Sequence, residues 1–187
     1  MRIIAGRFKG VRLTVPRGSV VRPTTDRVRE AVFNILGPLV EEGRVLELFA
    51  GTGAFGLEAL SRGAAFAVFV EKDRKAIETL IRNVQTLGLE ERAMVLTLSA
   101  TKAVQRLREA GDRFRIVYLD PPYATDWIDR VVSDPFFPNL LEADGLLVVE
   151  RGVRSAEPHL PRPFIQEVAR KYGDTMVEIY RLGTEKG

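Results

Sequence analysis

The sequence predicts an α/β protein. The expected fold is a Rossmann-like, seven-stranded, mostly parallel sheet with helices on both faces, a C-terminal antiparallel hairpin and an N-terminal β-hairpin extension. Three observations predict it. From residue 44 onward, short apolar runs alternate with helical-period segments of roughly ten to fifteen residues, the pattern of βαβ units. A glycine-rich loop follows the first apolar run. The last two apolar runs are separated only by Gly173-Asp174, which leaves no room for a crossover helix and requires antiparallel pairing.

The elements follow in order. Apolar residues Ile3, Phe8, Val11, Leu13 and Val15 alternate around Gly6 and Gly10 and predict a short hairpin over 1–15. Pro16-Arg17-Gly18-Ser19 is a turn. Thr24-Thr25-Asp26 offers helix N-cap residues, and Val28, Ala31, Val32, Ile35, Leu36 and Leu39 recur at helical spacing, so a helix is expected over about 25–41. Strands are expected at 45–49, 66–71, 94–98, 114–119 and 145–150. Helices are expected at 54–62, 73–87 and 100–110, with helical material from the end of the fourth strand to about 142. The closing hairpin joins 164–172 to 175–181. Crossovers in such a sheet are right-handed.

Length and composition set bounds. The 187 residues fit one domain, read as a basic hairpin arm over 1–23 and a core over 24–187. No apolar run approaches the ~20 residues that span a bilayer. The N-terminus lacks the apolar stretch of a secretory signal. With no cysteine and a single histidine, His159, neither a disulfide nor a zinc site is expected. Cysteine absence fits a cytoplasmic protein, and a monomer is the default state. The net charge of +3 conceals an asymmetry: Arg2, Arg7, Lys9, Arg12, Arg17 and Arg22 face no acid within residues 1–24, so the rest of the chain is net negative. Such an arm either meets a polyanion or is a solvated hairpin with a chance bias.

Glu47-Leu48-Phe49-Ala50-Gly51-Thr52-Gly53-Ala54-Phe55-Gly56 leaves the first strand and enters a helix, and contains a G-x-G-x-x-G string at Gly51, Gly53 and Gly56. Glu71 ends the next strand, where a ribose-binding acid belongs. The pair implies a nucleotide-type ligand lying across the first two strands. Glu47 discriminates between candidates. It stands four residues before Gly51, where its charge would oppose a pyrophosphate but suit a sulfonium with its amino group. S-adenosylmethionine is therefore favoured over NAD. The alternative is a tight turn without a ligand.

Asp120-Pro121-Pro122-Tyr123 follows the apolar run 114–119 and so lies at a strand's carboxyl end, the ligand-binding edge of an open α/β sheet. The Asp120 carboxylate and Pro121 carbonyl can accept from an exocyclic amine. The prolines contribute no N–H. The Tyr123 ring offers a stacking face for a planar substrate. The plainer reading is a proline-rich turn closed by a surface tyrosine.

Together these residues resemble a class I S-adenosylmethionine-dependent methyltransferase, in which Asp/Asn-Pro-Pro-aromatic accompanies methylation of exocyclic amines. Arg2-Ile3-Ile4-Ala5-Gly6, Phe8-Lys9-Gly10, the stretch from Arg22 to Ala31, Phe33-Asn34, Tyr172-Gly173-Asp174-Thr175 and Tyr180-Arg181 narrow this. With them the chain resembles the bacterial 16S ribosomal RNA guanine-N2 methyltransferase family over essentially its whole length. The resemblance implies a methyl transfer to guanine N2 in 16S rRNA, with the assembled small ribosomal subunit as the partner and S-adenosylhomocysteine as the product. It also implies roles. Glu47, Ala50, Gly51, Thr52 and Gly53 would surround the methionine part of the cofactor. Glu71 would hold the ribose, Lys72 would lie beside the adenine, and Ser99 and Ala100 near its amine. Many relatives carry an acid at the position of Ser99.

Asp120, Pro121 and Tyr123 are thus the expected catalytic residues. Arg7, Lys9, Arg17, Arg22, Thr24, Arg27, Pro122 and Tyr123 are expected to meet the RNA. Arg27 and Arg29 either line the mouth of the site or face solvent. Trp127 packs a helix or lines the rim, His159 is structural, and Glu150 is a candidate for a secondary polar role. Competing functions are adenine-N6 methylation, an NAD(P)-dependent oxidoreductase using the glycine loop, and a non-catalytic RNA-binding module, which would give Asp120 no task.

Overall fold

The computed structural model describes residues 1–16, 26–122, 126–161 and 163–183. In chain order the elements are α1 (Asp26–Leu36), β1 (Arg44–Leu48), α2 (Ala54–Ser61), β2 (Phe66–Val70), α3 (Arg74–Thr86) and β3 (Ala93–Leu96). They continue with α4 (Ala100–Glu109), β4 (Phe114–Leu119), α5 (Trp127–Val132), β5 (Leu141–Gly152), β6 (Phe164–Tyr172) and β7 (Thr175–Leu182). One seven-stranded sheet runs in the order β3-β2-β1-β4-β5-β7-β6. The pairs among β1 to β5 are parallel, and β7 runs antiparallel to both β5 and β6. The order reverses between β1 and β4, and that switch point is where such sheets bind ligands.

Both faces are covered, so the central strands carry apolar residues at nearly every position. Val45, Ala67, Phe69, Ile116 and Val148 pack on one face against α1, α2 and α3. Leu46, Leu48, Val68, Val117 and Leu147 pack on the other against α4 and α5. Glu47 is the one polar residue among the four buried positions of β1 and is only 3% exposed.

Several boundaries differ from the sequence reading. α1 stops at Leu36 because Gly37 takes φ 53° and Pro38 follows, and a 3₁₀ turn over Gly37–Val40 replaces the last helical turn. Among the described residues between β4 and β5, helix is confined to α5 and a 3₁₀ turn over Phe137–Leu140, with Pro135 and Pro138 interrupting the run. β5 begins at Leu141, earlier than expected, with its pairing to β4 shifted between Phe114 and Ile116.

The N-terminal hairpin is reduced to one antiparallel bridge, Arg2↔Arg12. Ile3 donates to the Val11 carbonyl at 2.9 Å, Gly10 to the Ile3 carbonyl at 2.9 Å and Leu13 to the Met1 carbonyl at 3.3 Å, so the two arms stay paired, while N–H groups between them are satisfied by α2. Ile4 and Ala5 donate N–H bonds to the Glu58 carboxylate at 2.7 and 3.0 Å, and Arg7 donates to the Ser61 carbonyl at 2.8 Å. The segment is therefore held on α2. Asn83 fixes its far end, accepting from the Thr14 N–H at 2.8 Å and donating to the carbonyls of Thr14 and Thr52. Residues 1–16 are in this way tied to the loop that follows β1. The expected turn at 16–19 lies largely outside the described residues.

Candidate active site

A cleft of ≈ 660 Å³ opens at the carboxyl ends of β1, β2 and β4. Most of the residues singled out from the sequence line it: Glu47, Ala50, Gly51 and Thr52 from the first loop, Glu71 and Lys72 from the second, Ser99 and Ala100 from the third, and Asp120, Pro121 and Pro122 from the fourth. Gly53 is not part of the lining; it takes φ 77°, and a Cβ there would come within 2.3 Å of Leu80 Cδ1, so the close packing of the loop on α3 also requires a glycine. Arg17, Arg22, Thr24 and Tyr123 lie outside the described residues.

Glu47 is the electrostatic centre of the first loop. Its carboxylate accepts the N–H groups of Phe55 at 3.2 Å and Gly56 at 2.8 Å, in the first turn of α2. Two of the donors left unpaired at a helix start are thereby satisfied. Burial nevertheless pushes the Glu47 pKa up to about 8, against the lowering effects of those two N–H bonds and of the Arg29 charge. A carboxylate so poorly solvated favours a cation brought into the cleft. It also occupies the donors on which a dinucleotide pyrophosphate would rest in the oxidoreductase reading.

Glu71 is preorganised by three backbone donors. Oε2 accepts from Gly51 at 2.8 Å, and Oε1 accepts from Lys72 at 2.8 Å and Asp73 at 2.9 Å. These bonds fix the carboxylate relative to the glycine loop and leave limited lone-pair capacity for a diol. Ser99 caps α4, its hydroxyl accepting from the Lys102 N–H at 3.4 Å. That duty follows from its place at a helix start and is compatible with a second contact into the cleft.

The opposite wall contains side chains that sequence reasoning did not single out. Tyr118, from β4, stacks on Phe55 with ring centroids 3.9 Å apart and planes within 4°, and Phe55 stacks in turn on Phe33 at 4.8 Å. The Tyr118 hydroxyl donates to Glu150 Oε2 at 2.6 Å. Burial, then the charges of Glu150 and Asp120, hold the Tyr118 pKa well above its ordinary value, so the phenol stays neutral. Glu150 is thus buried and tied to the wall. Phe49 leaves β1 with φ 62°, a conformation that costs a bulky residue ~1–3 kcal/mol, and its ring lies 6.0 Å from Trp127. Trp127 lines the cleft, with Lys72 Nζ 5.1 Å and the Arg130 guanidinium 5.3 Å from its ring.

The two arginines of α1 separate. Arg27 is exposed and absent from the cleft lining, whereas Arg29 is 2% exposed and part of it. Arg29 donates to the Arg2 carbonyl and to Asp26, and its Nε lies 3.7 Å from Glu58. Its Nε and Nη1 have no hydrogen-bond partner among the described residues. A run of basic residues entering a helix gives no clue to which of them turns inward until the neighbouring Glu58 is known. Arg7 and Lys9 remain exposed on the segment held by α2, and Met1 and Pro16 of that segment line the cleft.

Among the described residues no cluster of histidines and acids could hold a metal ion, and no helix is long and apolar enough to cross a membrane. Comparison with known proteins supplies the family. The model described as "Conserved hypothetical protein 95" matches residues 1–181. Ribosomal RNA small subunit methyltransferase D of Escherichia coli (strain K12) is 36% identical over 187 aligned residues, covering 97% of this chain and 89% of that protein. YlbH of Bacillus subtilis (strain 168) is 38% identical over 181 residues, covering 97% and 98%. The solved structure of yhhF from Escherichia coli superposes with a TM-score of 0.85 at 34% identity over 99% of both chains. With this identity sustained over nearly the full length, the chain belongs to the family of the ribosomal RNA small subunit methyltransferases D.

Proposed function

We propose that this protein transfers a methyl group from S-adenosylmethionine to the exocyclic N2 of a guanine in 16S rRNA, acting as a cytoplasmic monomer on the assembled small subunit. The observation that carries the reading is the meeting of Glu47, Glu71 and Asp120-Pro121-Pro122 in one cleft at the sheet's switch point. The name of the Escherichia coli relative supports the substrate.

The residues fit the cofactor. The buried Glu47 carboxylate matches a cationic amino acid end, Glu71 matches a ribose, and Lys72, Ser99 and Ala100 bound the remaining space. S-adenosylmethionine supplies an electrophilic methyl group on sulfur, whose bond to sulfur breaks as the bond to nitrogen forms. The guanine amine is a poor nucleophile because its lone pair is delocalised into the ring. Asp120 and the Pro121 carbonyl accept from its two N–H groups and favour the pyramidal nitrogen that attacks. Asp120 also stabilises the positive charge that develops there, an interaction stronger in the transition state than before it. The excess proton leaves to water. Tyr123 stacks on the base, which must first leave its helix if paired. Arg7, Lys9, Arg17 and Arg22 contact phosphates, with Thr24 and Arg27 beside them, and contribute affinity rather than sequence choice.

The test is transfer of a labelled methyl group from S-adenosylmethionine to unmodified 30S subunits, free 16S RNA and unrelated DNA, followed by digestion to nucleosides. Label in N2-methylguanosine from the subunits is the expected result. Label in N6-methyladenine would overturn the base assignment, and no label on any substrate would overturn the function.

A further inference from the structure

A second cavity of ≈ 310 Å³ lies on the other side of the catalytic turn, and Pro121 and Pro122 line both cavities. Nothing in the cofactor reading uses it. Its remaining walls come from α5 (Asp126, Ile128 and Asp129) and from the segment after β5 (Arg151, Arg154, Ser155, Ala156 and Pro158). We infer that this cavity is a subsite for one nucleotide of the RNA adjacent to the target guanine.

The chemistry of the walls fits a nucleotide. Pro121, Pro122, Ile128, Ala156 and Pro158 form flat apolar surfaces suited to a base. Asp126 and Asp129 are acceptors for base amines. Both already hold one partner: Asp126 pairs with Arg130 at 2.7 Å, and Asp129 accepts the His159 N–H at 2.9 Å. Arg154 differs, being exposed and making no ion pair among the described residues, which leaves its charge for a phosphate.

The turn that carries Arg154 is rigid. Buried Arg151 donates from Nε and Nη2 to the two Glu178 oxygens at 2.9 and 2.8 Å and from Nη1 to the Ser155 carbonyl at 2.8 Å. Val153 and Ser155 add backbone bonds to Asp174 and Gly152. The backbone from which Arg154 reaches is thereby fixed beside Pro121 and Pro122, while its side chain stays exposed. Contacts to flanking nucleotides are a common source of sequence context in enzymes that extrude a base.

The inference rests on the proposed function, and the experiment separates the two. Arg154→Ala and Ala156→Phe, the second filling the cavity, are assayed with the full-length protein on unmodified 30S subunits, alongside calorimetric affinity for S-adenosylhomocysteine. Both variants are expected to raise the KM for the subunit at least tenfold and to keep cofactor affinity. Arg154→Ala should also reduce the slope of log affinity against log salt by about one. If the wild type forms N2-methylguanosine while both variants keep its KM and salt slope, the subsite is wrong and the function stands. A parallel loss of cofactor affinity would place these residues in the fold and equally overturn the subsite. A wild type that methylates no guanosine would overturn the function and the subsite with it.

Discussion

Gly56 and Glu47 meet at the start of α2 with no space between them: the Gly56 N–H donates to Glu47 Oε2 at 2.8 Å, and a Cβ on Gly56 would lie 3.0 Å from that same oxygen. On its other side the same Cβ would stand 2.4 Å from Phe69 Cε1, a ring in the sheet core. The third glycine of the loop is thus required by two contacts, one of them polar.

Gly56→Ala should therefore displace the carboxylate or the ring. Overpacking of this kind costs ~1–3 kcal/mol, so the melting temperature should fall by several degrees. Cofactor affinity should fall with it, because Glu47 moves. A calorimetric scan with a titration of S-adenosylhomocysteine checks both; an unchanged affinity would separate the Glu47 position from binding.

The raised pKa of Glu47 has consequences with a definite sign. In the unfolded chain the group titrates near 4.5, and in the ligand-free fold at about 8. Between those values the folded state binds more protons, so this group makes the ligand-free protein less stable as pH rises from about 5 to 8. A cationic ligand favours the ionised carboxylate, so binding should release a proton in that range and tighten as pH rises towards 8. Calorimetry in buffers of different ionisation enthalpy measures the released proton directly. Glu47→Gln should abolish the release and flatten both pH profiles.

Much of this site was legible in the sequence because each part is local in the chain. The glycine loop, Glu71 and Asp120-Pro121-Pro122 each sit where an apolar run ends, and parallel strands deliver all such ends to one edge. What the sequence withheld depends on partners far away in the chain. Arg29 turns inward to the Arg2 carbonyl, Asp26 and Glu58 of α2, and that same Glu58 carboxylate takes the N–H groups of Ile4 and Ala5 and so seats the N-terminal hairpin on α2. Gly53 matched a ligand-binding pattern, and the structure adds that a Cβ there would meet Leu80 of α3, a partner far away in the chain. The stack of Tyr118 on Phe55 joins two residues that alternation alone would place in an ordinary core.

Glu71 holds the glycine loop and, under the proposed function, the ribose as well. Its three backbone donors come from Gly51, Lys72 and Asp73, so removing the carboxylate releases the loop and, on that proposal, deletes the ribose acceptor. Charge-assisted bonds of this type contribute ~1.5–3 kcal/mol each. Glu71→Ala should weaken S-adenosylhomocysteine binding at least tenfold by calorimetric titration. Glu71→Gln keeps the acceptor oxygen and should lose less. Wild-type affinity in the alanine variant would remove Glu71 from the cofactor site.

Asp120 should behave in the opposite way. It stands on the far side of the cleft from Glu71, at the end of β4, where its carboxylate is assigned to the amine and not to the cofactor. Removing a group that acts on developing charge costs on the order of 10² or more in rate. Asp120→Ala should therefore lose at least about a hundredfold in methyl transfer at saturating substrate, with S-adenosylhomocysteine affinity unchanged. Asp120→Asn keeps a hydrogen-bond acceptor without the charge and should fall between the two. That ordering distinguishes charge stabilisation from orientation alone: if asparagine restores the full rate, Asp120 only positions the amine, and if alanine itself turns over normally, the residue has no part in the reaction.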